Sequence, residues 1–469
     1  MSEDQSRRTA ASLAALAIAG VALGVWLFPH AFPTVALQQR VTRRLVLQRA
    51  DSFFAANAIA PSRARTAVRF ESDDALMTFV ELAAGGDDTL NALVRGRDVA
   101  PFDWSVRAFV PGDVHEARVD FAPDGRLVGF SRTLAEADVR PPVSVDSGEA
   151  IARRILVAWL GESPARWRLA TTSYETRKVS GRIDRTYTFE RVSRRVGGAP
   201  IRLDIVIDGD TPADAAEYVQ IPETFTRRYA QMRSANDAIE EGATLGILAI
   251  VIVGAIAFRR AARDGRIRWR GPLIVGGVVG SLLVAAALND VPGSWFDYDT
   301  ATSAAVFLIK SVITAVVGGV AMGVVVALTL AAAEAAERLA FPNHPDWWKL
   351  WSNRGTREIA GRVAGGYAVA AVDFAYVAFF YIVVRHYFGW WVPSELLDDP
   401  NQIATPMPWV TGIANSLQAG VWEESLFRAL PLSILSVWVG TRPRRGWWMA
   451  AGVCVSALIF GCAHANYTS

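Results

Sequence analysis

Residues 408–439 read PWVTGIANSLQAGVWEESLFRALPLSILSVWV. The run is long enough to cross a bilayer, and its only ionisable residues are Glu423, Glu424 and Arg428. Two carboxylates and a guanidinium at membrane depth are costly, and such groups usually mark function. A second apolar run, 446–466, follows after a short basic connection and contains Phe460-Gly461-Cys462-Ala463-His464. Sequential spans joined by a short loop are antiparallel neighbours. Counted along ideal helices, Glu423 lies about 22 Å from one end of its run and His464 about 27 Å from the opposite end of the next. The two depths overlap, so the spacing predicts that Glu423 and His464 meet inside the membrane.

On a helix, Glu424 and Arg428 are four residues apart with the acid on the N-terminal side, the better orientation for an ion pair. Glu423 is turned about 100° away and has no basic residue at i+4. One carboxylate is thereby neutralised, and the other is left for proton transfer from water. The plainer reading makes both glutamates interhelical locks and His464 a hydrogen-bond partner between helices.

Glu-Glu-x-x-x-Arg on one membrane helix and Phe-x-x-x-His on the next resembles the CPBP group of intramembrane peptidases, the type II CAAX prenyl endopeptidases and bacteriocin-processing proteins. The resemblance covers only about 408–466. It implies a membrane endopeptidase in which Glu423 activates water and His464 helps to hold it. Glu424 and Arg428 shape the site, and Phe460 packs beside it. It also raises a divalent metal such as zinc, with Glu423 and His464 as ligands. Two ligands fall short of the three protein ligands of a catalytic zinc. The family carries a further motif, His followed by His or Asn at helical spacing, that would lie beyond Ser469, so the chain is expected to be a fragment.

Outward from this pair, five more runs, near 9–28, 243–258, 272–288, 303–333 and 363–385, are apolar enough to span. The first follows Arg7 and Arg8 and is expected to remain as an uncleaved helix. The connections alternate in charge. Arg259, Arg260, Arg263, Arg266, Arg268 and Arg270 occupy 259–270. Asp290, Asp297 and Asp299 occupy 289–302, without Lys or Arg. Arg338, Lys349, Arg354, Arg357 and Arg362 fall in 334–362, and Glu395, Asp398 and Asp399 in 387–407. Arg442, Arg444 and Arg445 precede the last run. Basic loops stay cytoplasmic, which puts the N-terminus inside and residues 30–241 outside a bacterial inner membrane. Trp390, Trp391, Trp447 and Trp448 stand at segment ends, where indole prefers the headgroup layer. Lys310 and Asp373 fall inside spans and read as an interhelical ion pair or as snorkelling groups.

Between the first run and the rest, residues 30–241 are charged and mixed. An amphipathic helix over 40–58, a strand over 66–70 and a helix over 72–83 precede strands at 104–110, 116–121 and 126–131. Pro123-Asp124-Gly125 marks a hairpin. A second set follows, with a helix over 148–160 and strands at 167–173, 182–191, 201–207 and 218–221. Helix-then-strands occurs twice, the order of small PepSY-type domains. A further amphipathic helix over 223–240 leads to the membrane.

The expected fold is a polytopic α-helical membrane protein with an inserted extracytoplasmic α+β domain. Its parts are a membrane helix (1–29), the α+β domain (30–241) and a helical membrane domain carrying the motifs (242–469). With 48 basic and 46 acidic residues the chain is near neutral, which gives no argument for nucleic acid. The positive mean hydropathy and 16 tryptophans fit a bilayer as partner. Cys454 and Cys462, about 12 Å apart on one helix, cannot form a disulfide. Intramembrane cleavage of a membrane-associated protein or peptide is the leading reading. An ion-coupled transporter using Glu423, Glu424, Arg428, Lys310 and Asp373 as a buried charge relay, or a non-catalytic receptor or scaffold, is the rival.

Overall fold

The structure is a computed structural model and describes residues 3–32, 41–96, 98–342, 357–389 and 400–465. The expected features at Lys349, Arg354, Trp390, Trp391, Glu395, Asp398, Asp399 and 466–469 lie outside them.

Among the described residues six helices are long and apolar enough to cross a membrane. They are α1 (Glu3–Ala31), α6 (Glu223–Arg263), α7 (Arg270–Ser294), α8 (Ala304–Ala340), α9 (Arg357–Phe388) and α12 (Arg445–Cys462). The chain is a multi-pass integral membrane protein. The run 408–439, expected as a further span, is helical throughout, with one π-helical turn in its middle. It forms α10 (Pro408–Glu423), a π-helical turn (Glu424–Ala429) and α11 (Leu430–Val439).

Small residues set the helix spacing. Gly276 and Gly280 of α7 face Gly319 and Gly323 of α8 so closely that a Cβ on Gly323 would stand 2.6 Å from the Gly276 carbonyl oxygen. In lipid, helices associate through such close backbone packing. On α1, Gly20 and Gly24 give the same approach to Ala371 and Phe374 of α9.

Between α1 and α6 the chain builds one antiparallel sheet. Its strands are β1 (Arg65–Ser72), β2 (Phe102–Phe109), β3 (Glu116–Phe121), β4 (Leu127–Thr133), β5 (Trp167–Thr176), β6 (Ile183–Val196), β7 (Ala199–Asp208) and β8 (Thr211–Val219). The order is β1-β2-β3-β4-β8-β7-β6-β5. Two four-stranded meanders therefore meet where Phe130 of β4 pairs with Ala215 of β8. The β3–β4 hairpin turns at Gly125, with φ +85°, as its Asp-Gly pair predicts.

Two local expectations need correction. The strand expected at 218–221 is β8, which starts at Thr211. Its inward residues Ala213 and Ala215 are too small to raise a hydrophobic alternation. A helix not read from the sequence, α4 (Gly86–Arg95), starts behind Gly85 without a side-chain cap and buries only Leu90 and Leu93.

One face of the sheet is covered by α2 (Arg43–Asn57), α3 (Asp74–Ala83), α4 and α5 (Val145–Ala158). Val46, Leu76, Leu90 and Ile155 pack there with Trp104, Val106, Phe189 and Ile205 in one core. The opposite face is polar. Its β1–β3 end sits on the turn between α7 and α8. Trp295, Phe296 and Tyr298 of that turn pack against Phe109 and Ala67. Arg107 donates to the carbonyls of Phe296 (2.8 Å) and Tyr298 (2.7 Å), and the Arg65 guanidinium lies 4.0 Å over the Trp295 ring. Arg69 pairs with Asp297, and Arg385 at the end of α9 pairs with Asp87 of α4. The sheet therefore lies on the side of the helices where α7 ends, α8 begins and α9 ends.

The polar face also carries three close carboxyl groups, Asp103, Asp120 and Asp214. Asp120 accepts from Ser105 (2.6 Å) and Arg118 (2.8 Å). Burial, followed by the charge of Asp120, raises Asp103 to about 8 and Asp214 to about 7. A carboxyl raised in the folded state adds stability that is complete below its unfolded value, about 3.9. That stability is lost as pH climbs through the folded value. The sheet domain of the detergent-solubilised full chain is thus expected to melt at a lower temperature at pH 8.5 than at pH 6. Asp214→Asn should flatten that dependence. A melting temperature that rises over this window, followed by near-ultraviolet circular dichroism, would contradict the assignment.

Candidate active site

The sequence before α10 is held at two points. Asn401 of the short turn Pro400–Ala404 accepts the Phe70 amide of β1 (3.3 Å), and Ala404 is buried in the sheet-domain core. Next, Asn289 of α7 clasps Met407. Its amide nitrogen donates to the Met407 carbonyl and its oxygen accepts the Met407 N–H, both at 3.0 Å. Pro408 then starts the helix, where its missing N–H costs nothing. Val410 and Ala414 bury against Leu282, Leu283 and Ala286 of α7.

The π turn has an identifiable cause. In an unbroken α-helix the N–H of residue 431 would bond the carbonyl of Phe427, but residue 431 is proline. The Leu430 N–H reaches back to the Ser425 carbonyl instead, one residue further than in an α-helix. The orphaned Phe427 carbonyl accepts the hydroxyl of Ser456 on α12, a buried side chain. Pro431 and Ser456 together fasten the motif helix to the last helix. The sequence signal was present, a proline four residues after Phe427 and a serine amid apolar residues, but a helical-periodicity reading does not connect them.

Ser456→Ala should leave the Phe427 carbonyl unpaired and cost about 1–3 kcal/mol. In a Pro431→Ala background the new N–H can serve that carbonyl, so the same change should cost clearly less. A double-mutant cycle on thermal unfolding reads this coupling, and equal costs in both backgrounds would refute it.

Between the π turn and α12 lies a cavity of about 500 Å³. Glu423, Glu424 and Arg428 line it from one side, and Ser456, Ala457 and Phe460 from the other. Arg428 pairs with Glu424, as the i,i+4 spacing predicts. Among the described residues Glu423 has no ion-pair partner. Phe427 and Phe460 meet edge to face at 5.1 Å, and the Phe460 ring lies 4.5 Å from that of His464. His464 is in the turn after α12, and its Nδ1 is 2.7 Å from the Phe460 carbonyl oxygen. A carbonyl only accepts, so the proton of the neutral ring is on Nδ1 and the lone pair on Nε2.

The structure thus brings Glu423, Glu424, Arg428 and Phe460 onto one cavity, with His464 one turn beyond Phe460. Lys310 and Asp373 are elsewhere. Lys310 lines a groove between α7 and α8, and Asp373 is exposed on α9, which packs on α1. The cysteines are free, Cys454 exposed and Cys462 half-buried. Among the described residues no three His, Cys, Asp or Glu side chains converge as a metal site would require. Glu423 and His464 supply two donors, so this donor set does not fit a three-ligand catalytic zinc.

Residues 405–469 match the family model described as Type II CAAX prenyl endopeptidase Rce1-like. The match starts at the buried turn before α10 and takes in the π turn, α11 and α12, so it contains the whole cavity. No curated protein and no solved structure matches the chain. The Rce1-like similarity is to a protease family and is confined to this C-terminal segment. The sheet domain and α1–α9 lie outside it.

Proposed function

We propose that the protein is an intramembrane endopeptidase that hydrolyses a peptide bond of a membrane-associated protein or peptide. The observation that carries this is the sharing of one cavity by Glu423, Glu424, Arg428 and Phe460 within the segment similar to the Rce1-like family. In this reading Glu423 takes a proton from a water molecule, and the nascent hydroxide attacks the scissile carbonyl carbon. When the C–N bond breaks, the protonated Glu423 returns the proton to the leaving amine, so the cycle closes on the resting carboxylate. His464, one turn beyond Phe460, helps to hold that water. Arg428, held by Glu424, keeps positive charge at the rim, where negative charge develops on the carbonyl oxygen.

By the charges of its loops, the sheet domain lies outside the cytoplasm. Its two helix-then-strand sets support a duplicated PepSY-like module. Its contacts with 400–404 place it next to the start of the motif helix, where it would govern approach of substrate.

The test is to reconstitute the full chain, and its Glu423→Gln and His464→Ala variants, in liposomes with a library of membrane-anchored peptides. New N-termini are read by mass spectrometry. Cleavage that persists undiminished in both variants would sink the reading.

A further inference from the structure

The π turn at Glu424–Ala429 holds one residue more than a turn of α-helix. That residue sets the helix after it back by about 100°, the rotation of one α-helical residue. In an unbroken α-helix Arg428 would stand about 140° round from Glu423, and Leu432 about 120° round from Gly420. Neither pair could then share a narrow face. In the structure Gly420, Glu423, Glu424, Phe427, Arg428 and Leu432 all line one cavity. With the extra residue, Leu432 returns to within about 20° of Gly420. Arg428, five residues after Glu423, takes the place that an α-helix gives to the fourth residue.

The offset is fixed on both sides. The Leu430 N–H bonds the Ser425 carbonyl, and the Phe427 carbonyl accepts the Ser456 hydroxyl. Leu430 at the start of α11 packs on Ala332, Ala333 and Ala336 of α8. Further along α11 the Ser436 hydroxyl accepts Arg445 of α12 at 2.8 Å. So α11 is not free to rotate and undo the offset. Within the turn Ser425, Leu426 and Phe427 are buried, while the Arg428 side chain is exposed. The guanidinium, held by Glu424, therefore stands at the open side of the wall that carries Glu423. A π turn is rare, and in the middle of a helix it concentrates at working sites.

We propose that the extra residue of the π turn is the positioning device of this site, turning Arg428 onto the wall of Glu423 so that its charge meets the developing oxyanion. The chemistry rests on the peptidase reading and the geometry does not, so the two are tested apart. For the geometry, Glu423→His with Arg428→His puts two imidazoles five residues apart across the turn. In the purified full chain in detergent this pair is expected to bind nickel(II), read by titration calorimetry. Leu417→His with Trp422→His, also five apart but within α10, is expected to bind it about tenfold more weakly or less. For the chemistry, the reference is Pro431→Ala, which supplies the missing N–H but keeps the extra residue. Deleting Ala429 in that background makes a regular α-helix possible. The deletion should lower kcat on membrane-anchored peptides about 10²–10³-fold, the cost of one lost oxyanion partner. KM should change little, and the melting temperature should hold or rise, which separates lost positioning from lost fold. Nickel bound no more tightly at 423 and 428 than at 417 and 422, or a deletion variant that cleaves as fast as its reference, would overturn the inference. Nickel bound as expected by a chain that cleaves nothing would uphold the placement of Arg428 and fault the peptidase reading instead.

Discussion

Glu423→Gln should reduce peptide cleavage by about 10²–10⁴-fold, the usual contribution of a positioned general base, while the protein stays folded. The amide has nearly the shape of the acid but cannot accept the proton of water. Glu423 makes no ion pair among the described residues, so the change breaks no salt bridge. Glu424→Gln is the informative neighbour. It removes the partner of Arg428, a pair at a half-exposed position with modest value for stability. Its effect on cleavage should be smaller than that of Glu423→Gln. Reversed ranks in single-turnover assays would exchange the roles of the two acids. His464→Ala should also impair cleavage severely. Phe460→Leu keeps an apolar contact under the imidazole and should be milder.

Gly323→Leu is expected to prevent assembly of the helical core. A Cβ at residue 323 would stand 2.6 Å from the Gly276 carbonyl oxygen and 3.1 Å from the Gly280 Cα. Both neighbours are backbone and cannot turn aside, so α7 and α8 must separate. Overpacking of this kind costs about 1–3 kcal/mol or more. The damage should spread, because Ala332, Ala333 and Ala336 of α8 pack against Leu430 beside the π turn. Gly318→Leu, five residues earlier in the same helix, meets open space and should leave the fold intact. Size-exclusion profiles of the two variants after heating provide the comparison. Equal thermal stability would mean that the glycine contact does not set the α7–α8 distance.

Much of this architecture was legible because its signals are local. The apolar runs predicted the six long helices, and alternation within 201–207 predicted a half-buried strand, now part of β7. The loop charges grouped 289–302 and 387–407 with the 30–241 segment. In the structure Arg107 contacts Phe296 and Asn401 contacts Phe70, so 295–298 and 400–404 lie against the sheet. Glu424 and Arg428 were paired from spacing alone, because helical geometry makes i and i+4 neighbours wherever the helix sits.

Sequence therefore determined which segments enter the membrane, where the charges in them fall and that 424 and 428 share a face, since each depends on residues within a turn or two. Only the tertiary structure decided that the motif helix takes a π turn before Pro431 and lends a carbonyl to Ser456, that β4 joins β8, and that Asn289 and Asn401 hold the start of α10. Those are hydrogen bonds between residues far apart in the chain, and which distant partner takes up an orphaned polar group is set by packing, not by local periodicity.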